Sequence, residues 1–442
     1  MLGLIQEYHL QKKKSNLLKR KKHIETVETN AYWARVSREF KKNRLAVWSL
    51  RFLYILLFIA VFADFLANEK PIYCKVGGET YFPVIKAYGV ELGLDEWPKD
   101  LATANWYELD YEAVLWAPIP YSAKTIDFKN NHYRSPFGPQ RVKSNKFWHW
   151  LGTDELGHDI AAGMISGTRT AMLVGIIAMT IATILGIFFG ALAGFWGDDR
   201  FKVSRLRFCL NILAIPIGFF YGFKARPLAW YEGNFGSELF KSLGILLLTF
   251  LLFNGIAFLF ERAKRGGKII TIPMDLLVMR FIEIMNSIPA LLLLLSIVAI
   301  INDQSIIYVM IIIGFIRWTS IARFIRSELL RVRRLEYIEA AEALGLSKWK
   351  TLFRHAIPNA LTPVLISISF GIAGAILLEA FFSFLGITNG DVTWGSILKT
   401  ARRYPSAWWL AVLPGAAIFM TVTIFNLIGD GLSNAMNPKK VK

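Results

Sequence analysis

The side chains of this chain best suited to chemistry sit in HWLGTDELGHD (149–159), where His149, Asp154, His158 and Asp159 crowd together. Two imidazoles and two carboxylates could hold a metal ion or move protons. Their spacing matches no standard zinc arrangement, so they read as a hydrogen-bonded turn, with Asp154 and Asp159 capping the chain as it enters the next apolar run. A phosphate loop needs G-x-x-x-x-G-K-[ST]; GlyGlyLys at 266–268 is followed by Ile269 and lacks the earlier glycine. No nucleophile stands beside a base, and the expectation is a chain with no catalytic residues, no metal and no cofactor of its own, ATP included. The remaining candidate is mechanical: EAAEALGLSKWKTLFRHAIPN (339–359), a polar, basic, helix-prone stretch wedged between two strongly apolar runs.

The elements around these residues are set by hydropathy. With 54% hydrophobic residues, 14 Trp, 33 Phe and a mean hydropathy of +0.40, the 442-residue chain is too apolar for two ordinary soluble domains and reads as an integral membrane protein. A helix crosses about 30 Å of hydrocarbon with about 20 apolar residues. Runs of that kind lie at Ala171–Trp196, Leu243–Phe260, Ile284–Ile301, Leu361–Leu378 and Trp408–Gly429, all without charge, and at Trp48–Leu66, with Arg51 and Asp64 close enough to its ends to reach the interface. Phe208–Phe223, lengthened back to Val203, and Ser305–Ala322, which carries Arg317, bring the expected spans to eight.

A net charge of +18 raises nucleic acid as a partner, but Lys and Arg cluster beside the apolar runs, the pattern of cytoplasmic loops, and nucleic acid is rejected. The basic N-terminal segment (Lys12–Lys14, Lys19–Lys22, Arg35 to Arg44) is expected in the cytoplasm against anionic membrane lipid. Eight crossings return Lys439, Lys440 and Lys442 to the same side, with Arg200–Arg207, Arg262–Lys268 and Arg323–Arg354. Lys224, Arg226 and Lys241, and then Lys399, Arg402 and Arg403, fall on the outer side against the rule. The polar start, Met1–Asn30, is not a cleavable signal, so the first run is expected to remain as an anchor. The segment between the first two spans is expected to form a small extracytoplasmic domain with some strand, from TYFPVIKAY (80–88) and APIPYSAKTIDF (117–128). Cys74 falls outside and Cys209 in a span, so no intramolecular disulfide is expected.

Within the basic stretch a helix is predicted from about Arg331, placing Ala340, Ala343 and Leu344 near one face. Gly345 permits a turn, Ser347 can cap a second helix, and Pro358 is expected to mark where that helix yields to the next span. Small alanines admit a close partner, and the flanking cations hold the unit at the lipid interface. Arg317, at about 2.5–3.5 kcal/mol if it faced lipid at mid-bilayer, is expected to face a pathway or a protein partner, or to snorkel. Pro289 and Pro414 are expected to interrupt helices.

EAAEALG followed by HAIPNA resembles the EAA signature of permease subunits of bacterial ABC importers, on Glu339, Ala340, Ala341, Gly345, Ile357 and Pro358. His355 stands where the general signature is apolar and resembles the oligopeptide/dipeptide branch. SREFKKNRLAVWSL (37–50), HWLGTDELGHD, ILLEAFFSFLG with WGSIL (376–386, 394–398) and LPGAAIFMTVTIFNLIGDGLSNAMNP (413–438) resemble further segments of that branch, although His158 replaces an Arg usual there. ANEKPIYCKVGGETYFPVIKAYG (67–89) is similar to the C-type permeases of microcin C and peptide uptake systems. The resemblance implies an all-α polytopic membrane protein: a six-helix ABC importer permease core with an inserted two-helix hairpin at 198–277 and a small extracytoplasmic domain. The implied layout is 1–47 cytoplasmic, 48–66 first span, 67–170 extracytoplasmic, 171–197 second span, 198–277 insertion, 278–438 the rest of the core with the coupling loop 331–360, and 439–442 a cytoplasmic tail. It implies a permease subunit of the bacterial inner membrane, both termini cytoplasmic, moving peptides or peptide-like compounds. Its implied partners are a B-type permease subunit, two ABC ATPase subunits that bind the ATP, and an extracytoplasmic substrate-binding protein. Glu339 and its neighbours would contact the ATPase, with Gly345 as the bend. A nickel or opine importer of the same family is the alternative. A stand-alone secondary transporter would need acidic residues deep in several spans, whereas Glu283 and Glu379 are expected near span ends.

Overall fold

The structure, a computed structural model, describes residues 33–233, 235–262, 268–301, 305–387 and 390–436. The basic runs at 12–14 and 19–22, the first two residues of GlyGlyLys and the tail from 437 lie outside the described residues. The principal helices are α1 (Arg44–Val61), α2 (Ile160–Ala191), α3 (Arg205–Phe219), α4 (Phe235–Arg262), α5 (Met274–Ser287), α6 (Ala290–Ile301), α7 (Ile306–Val332), α8 (Glu336–Ala343), α9 (Lys348–Thr351), α10 (Ile357–Leu385), α11 (Trp394–Ala401) and α12 (Trp409–Met436). Among the described residues, seven helical stretches are long and apolar enough to cross a membrane, eight if the bent pair α5–α6 is one span. The run expected at Ile284–Ile301 starts earlier, with helix from Met274, and is interrupted at Ile288–Pro289 by a bend of 79°, where Pro289 is expected to break it. The second long apolar helix starts at Ile160, so the segment before it closes ahead of residue 170. Pro414 sits inside an unbroken α12.

The chain divides into two compact units. The first holds the described residues up to Thr180, Ser305–Ile313 and those from Pro363 onward. Its helices meet through small residues: a Cβ on Gly175 would lie 2.6 Å from Ile372, one on Gly395 would lie 2.2 Å from the Ala380 carbonyl, and one on Gly431 would lie 2.4 Å from Ala46. In lipid, where apolar burial gives helices no reason to prefer each other, such close approach supplies the attraction. Trp394, buried, donates its indole N–H to the Met164 carbonyl at 3.1 Å. Glu379 is buried close to the C-terminal end of α10, with the Ser383 hydroxyl donating to it at 2.6 Å.

The segment between α1 and α2 carries a three-stranded antiparallel sheet ordered β2-β1-β3, from β1 (Tyr73–Val76), β2 (Glu79–Tyr81) and β3 (Ala113–Leu115). Residues Pro83–Glu91 are helical, so most of TYFPVIKAY is helix and not strand; Pro83 opens that helix where its missing N–H costs nothing. Residues 117–128 contribute only isolated bridges. Cys74, Leu101, Trp106 and Trp116 make its core. Cys74 and Cys209 are both free.

The second unit holds the described residues of Ile181–Gln304 and Gly314–Thr362. Gly186, Gly190 and Gly194 form a stripe at four-residue spacing; Cβ atoms on them would lie 2.5 Å from Ile321, 2.7 Å from Ile325 and 2.7 Å from the Arg326 carbonyl. Phe189, Phe281 and Trp318 cluster beside it. The insertion is a self-contained hairpin of α3 and α4. Its base is closed by antiparallel β4 (Lys202–Ser204) and β5 (Ile269–Thr271), and Arg207 and Ser204 both bond Glu261. Asn254 donates to Asn211 at 2.7 Å between the helices. At the far end Arg226 and Lys241 both pair with Glu238, which partly neutralises two cations that fit the charge rule poorly.

Candidate functional site

After α7 ends at Val332, a turn through Arg333–Leu335 leads into α8, so the predicted helix starts at Glu336 and not at Arg331. Glu336 and Glu339 occupy its first turn, where carboxylates complement the helix N-terminus. The helix closes in a Schellman motif: Gly345 N–H bonds the Glu342 carbonyl at 2.9 Å and Leu346 N–H bonds the Ala341 carbonyl at 3.2 Å. That closure needs a left-handed residue, and Gly345 has φ of 80°. Ser347 accepts the Lys350 N–H and starts α9. From Lys348 the chain stays helical to Leu385 through a widened π-type turn at Leu352–Ala356. Pro358 ends no helix; it sits in the first turn of α10, just after that widened turn, where its missing N–H is tolerated.

Two faces of α8 differ. Ile338 and Ala341 are buried, while Tyr337, Glu339, Ala340, Ala343 and Leu344 are exposed, Leu344 by 75%. Ala340, Ala343 and Leu344 thus share an apolar, outward face edged by Glu336 and Glu339. The inward side is pinned: Arg200 donates to Glu342 at 2.7 Å, with both side chains more than two-thirds buried. Trp349 meets Trp196 edge-to-face at 4.6 Å and stacks on Phe353, while Arg333 reaches the Gly194 carbonyl. Thus α8 and α9 are mounted on the end of α2 and the loop after it, and the face left open is small, apolar and acid-edged.

Of the predicted site residues, Glu339, Ala340, Gly345 and Pro358 are exposed, whereas Ala341 and Ile357 are buried and support the loop. Arg317 is not brought to them. It lies half-buried in α7, about 22 Å along the helix from Val332, with no hydrogen bond or ion pair to another described residue. Arg200, Trp196 and Gly194 were missed, because the pairing of Arg200 with Glu342 spans 142 positions and no local pattern announces it.

The cluster in 149–159 is a tied turn. His149, buried, bonds Asp159 at 2.7 Å and Asp127 at 3.2 Å, and its ring stacks on Tyr121. Asp159 also accepts the Ala162 N–H at the start of α2, and Asp154 accepts the N–H groups of Leu156, Gly157 and His158. Burial opposes a charged imidazole, but the Asp127 and Asp159 carboxylates outweigh it and hold the His149 pKa above its ordinary value.

Residues 271–442 match the family described as the binding-protein-dependent transport system inner membrane component, and residues 31–80 match the N-terminal TM domain of oligopeptide transport permease C. The chain is 26% identical over 424 residues to the inner membrane ABC transporter permease protein YejE of Escherichia coli, covering 93% of this chain and 97% of that one. It is 25% identical over 435 residues to the peptidoglycan transport system permease protein YejE of Agrobacterium fabrum, covering 91% and 92%. To the oligopeptide transport system permease protein OppC of Escherichia coli it is 35% identical over 177 residues, 39% of this chain and 57% of that one. The stretch 331–360 lies within the first matched region.

Proposed function

We propose that this chain, which belongs to the family of binding-protein-dependent transport system inner membrane components, is the C-type permease of an ABC importer for peptides or peptide-like compounds. The names of its relatives support the cargo class: oligopeptide, dipeptide and glutathione permeases stand among them. On this reading a second permease, two ATPase subunits and a binding protein complete the importer in the inner membrane, with both termini and the loop 331–360 in the cytoplasm.

The observation that carries the reading is the mounting of α8. A motor that closes on ATP moves a membrane helix only through a part that does not deform, and α8 is fixed on its inner side by Arg200 while its outer side is free to fill a cleft. Small residues on that side let the partner's backbone approach, and Glu339 supplies a charge at its rim. Glu339 is exposed, so Glu339→Arg leaves the fold intact and reverses the rim charge. Co-purification of the ATPase subunits with the unaltered chain and its loss with Glu339→Arg is the expected result; equal recovery from both removes α8 as the contact.

A further inference from the structure

The broken span α5–α6 leaves backbone exposed where a membrane helix would hide it. Ile288 is extended (φ −87°, ψ 122°), and Pro289 has no N–H to give the Met285 carbonyl. Among the described residues no backbone N–H donates to the carbonyls of Asn286, Ser287 or Ile288, and Ala290, Leu291 and Leu292 donate to no backbone carbonyl. The break falls about halfway along the pair, and Asn286 to Pro289 are exposed in the isolated chain. Hydrocarbon offers nothing to hydrogen-bond, so unwound backbone at membrane depth persists only against protein, water or a polar ligand.

A cavity of about 210 Å³ opens at this point, lined by Met285, Asn286, Pro289, Leu293 and Thr319 among others. Thr319, buried, donates to the Asn286 Oδ1 at 3.1 Å, which fixes the amide and leaves its N–H₂ with no partner among the described residues. The site therefore offers carbonyl acceptors, amide donors and a small apolar wall. Those groups complement a stretch of peptide backbone, whose own N–H and C=O alternate. The volume is below the roughly 300–1,000 Å³ of a pocket that encloses a drug-sized ligand, so it accepts a short length of chain and not a whole oligopeptide.

Resting on the functional reading above, we infer that the break at 286–290 is a station on the transport path that holds the cargo's peptide backbone by its amide groups. It reads main chain and not side chains, so it admits many sequences.

The test uses the assembled importer in proteoliposomes and a radiolabelled tripeptide that it takes up. Asn286→Leu is expected to raise the KM for that tripeptide about tenfold, and an importer carrying Ser287→Cys in a Cys209→Ser background, which removes the exposed native thiol, is expected to react several-fold more slowly with a small maleimide while the tripeptide is being transported. An unchanged KM together with peptide-independent labelling overturns the inference, as does a thiol introduced by Ser287→Cys that is already shielded from the maleimide with no peptide present, the mark of a position covered by the second permease. If the unaltered importer moves no peptide at all, the functional reading falls first; if it moves peptide and these readouts stay flat, only the station falls.

Discussion

Gly345→Ala isolates the contribution of one backbone angle. A Cβ placed there meets no atom within 4 Å, so the substitution adds no clash and removes no contact. What remains is the cost of holding an L side chain at φ of 80°, about 1–2 kcal/mol. At 1.4 kcal/mol per tenfold, the equilibrium opening of the Schellman closure rises by about 5- to 30-fold. Hydrogen exchange reads that ratio directly in the amides of Gly345 and Leu346, the donors of the two closing bonds. Gly345→Asn, whose side chain tolerates the left-handed region, is expected to show a smaller rise. On the proposed coupling role, the same change in the assembled importer should lower peptide moved per ATP hydrolysed, since a loosened loop would absorb part of the stroke. Unchanged protection of those amides, or Asn as disruptive as Ala, would refute the claim that this angle sets the stiffness of the loop.

Glu342→Gln, which leaves the Arg200 guanidinium without its carboxylate, is expected to weaken the mounting of α8 by about 1–3 kcal/mol, and a double-mutant cycle with Arg200→Met read by exchange in 336–343 should return most of that as coupling. The domain between α1 and α2 should depend on pH through His149. Its folded pKa lies above 6.5, so its contribution is complete below 6.5 and is lost as pH rises through the raised value. For Asp127, burial acts upward, but bonds from His149, Asn130 and the Lys129 N–H hold it below 3.8, so its contribution is complete above 3.8 and is lost as pH falls through the lowered value. Thermal unfolding of the purified chain should thus show that domain firmest in mildly acidic buffer, with the alkaline decline flattened in His149→Gln; an identical profile for both removes His149 as the cause.

Hydropathy alone determined most of the membrane architecture of this protein, because a stretch of about 20 uncharged apolar residues has few other stable homes. The loop was legible for the same local reasons: Gly345 is the residue a left-handed turn requires, Ser347 a cap, and Ala340 with Ala343 and Leu344 fall together by helical period. Even the crowded carboxylates and imidazoles at 149–159 announced a tied turn, since Asp side chains seek nearby backbone N–H groups. Local pattern failed where a residue's role depends on a distant partner. Nothing around Arg200 marks it as the anchor of Glu342, and Ala341, one of three alike in the motif, turned out to face inward. Hydropathy gave no sign of the break in Ile284–Ile301, since it measures how apolar a run is and not whether its backbone hydrogen bonds are made; Pro289 marked the place, but the same residue type at Pro414 leaves its helix unbroken. Those bonds, and the faces that helices turn toward each other through glycines such as Gly190, arise only when the chain has packed, because they are set by distances between atoms that primary order keeps far apart.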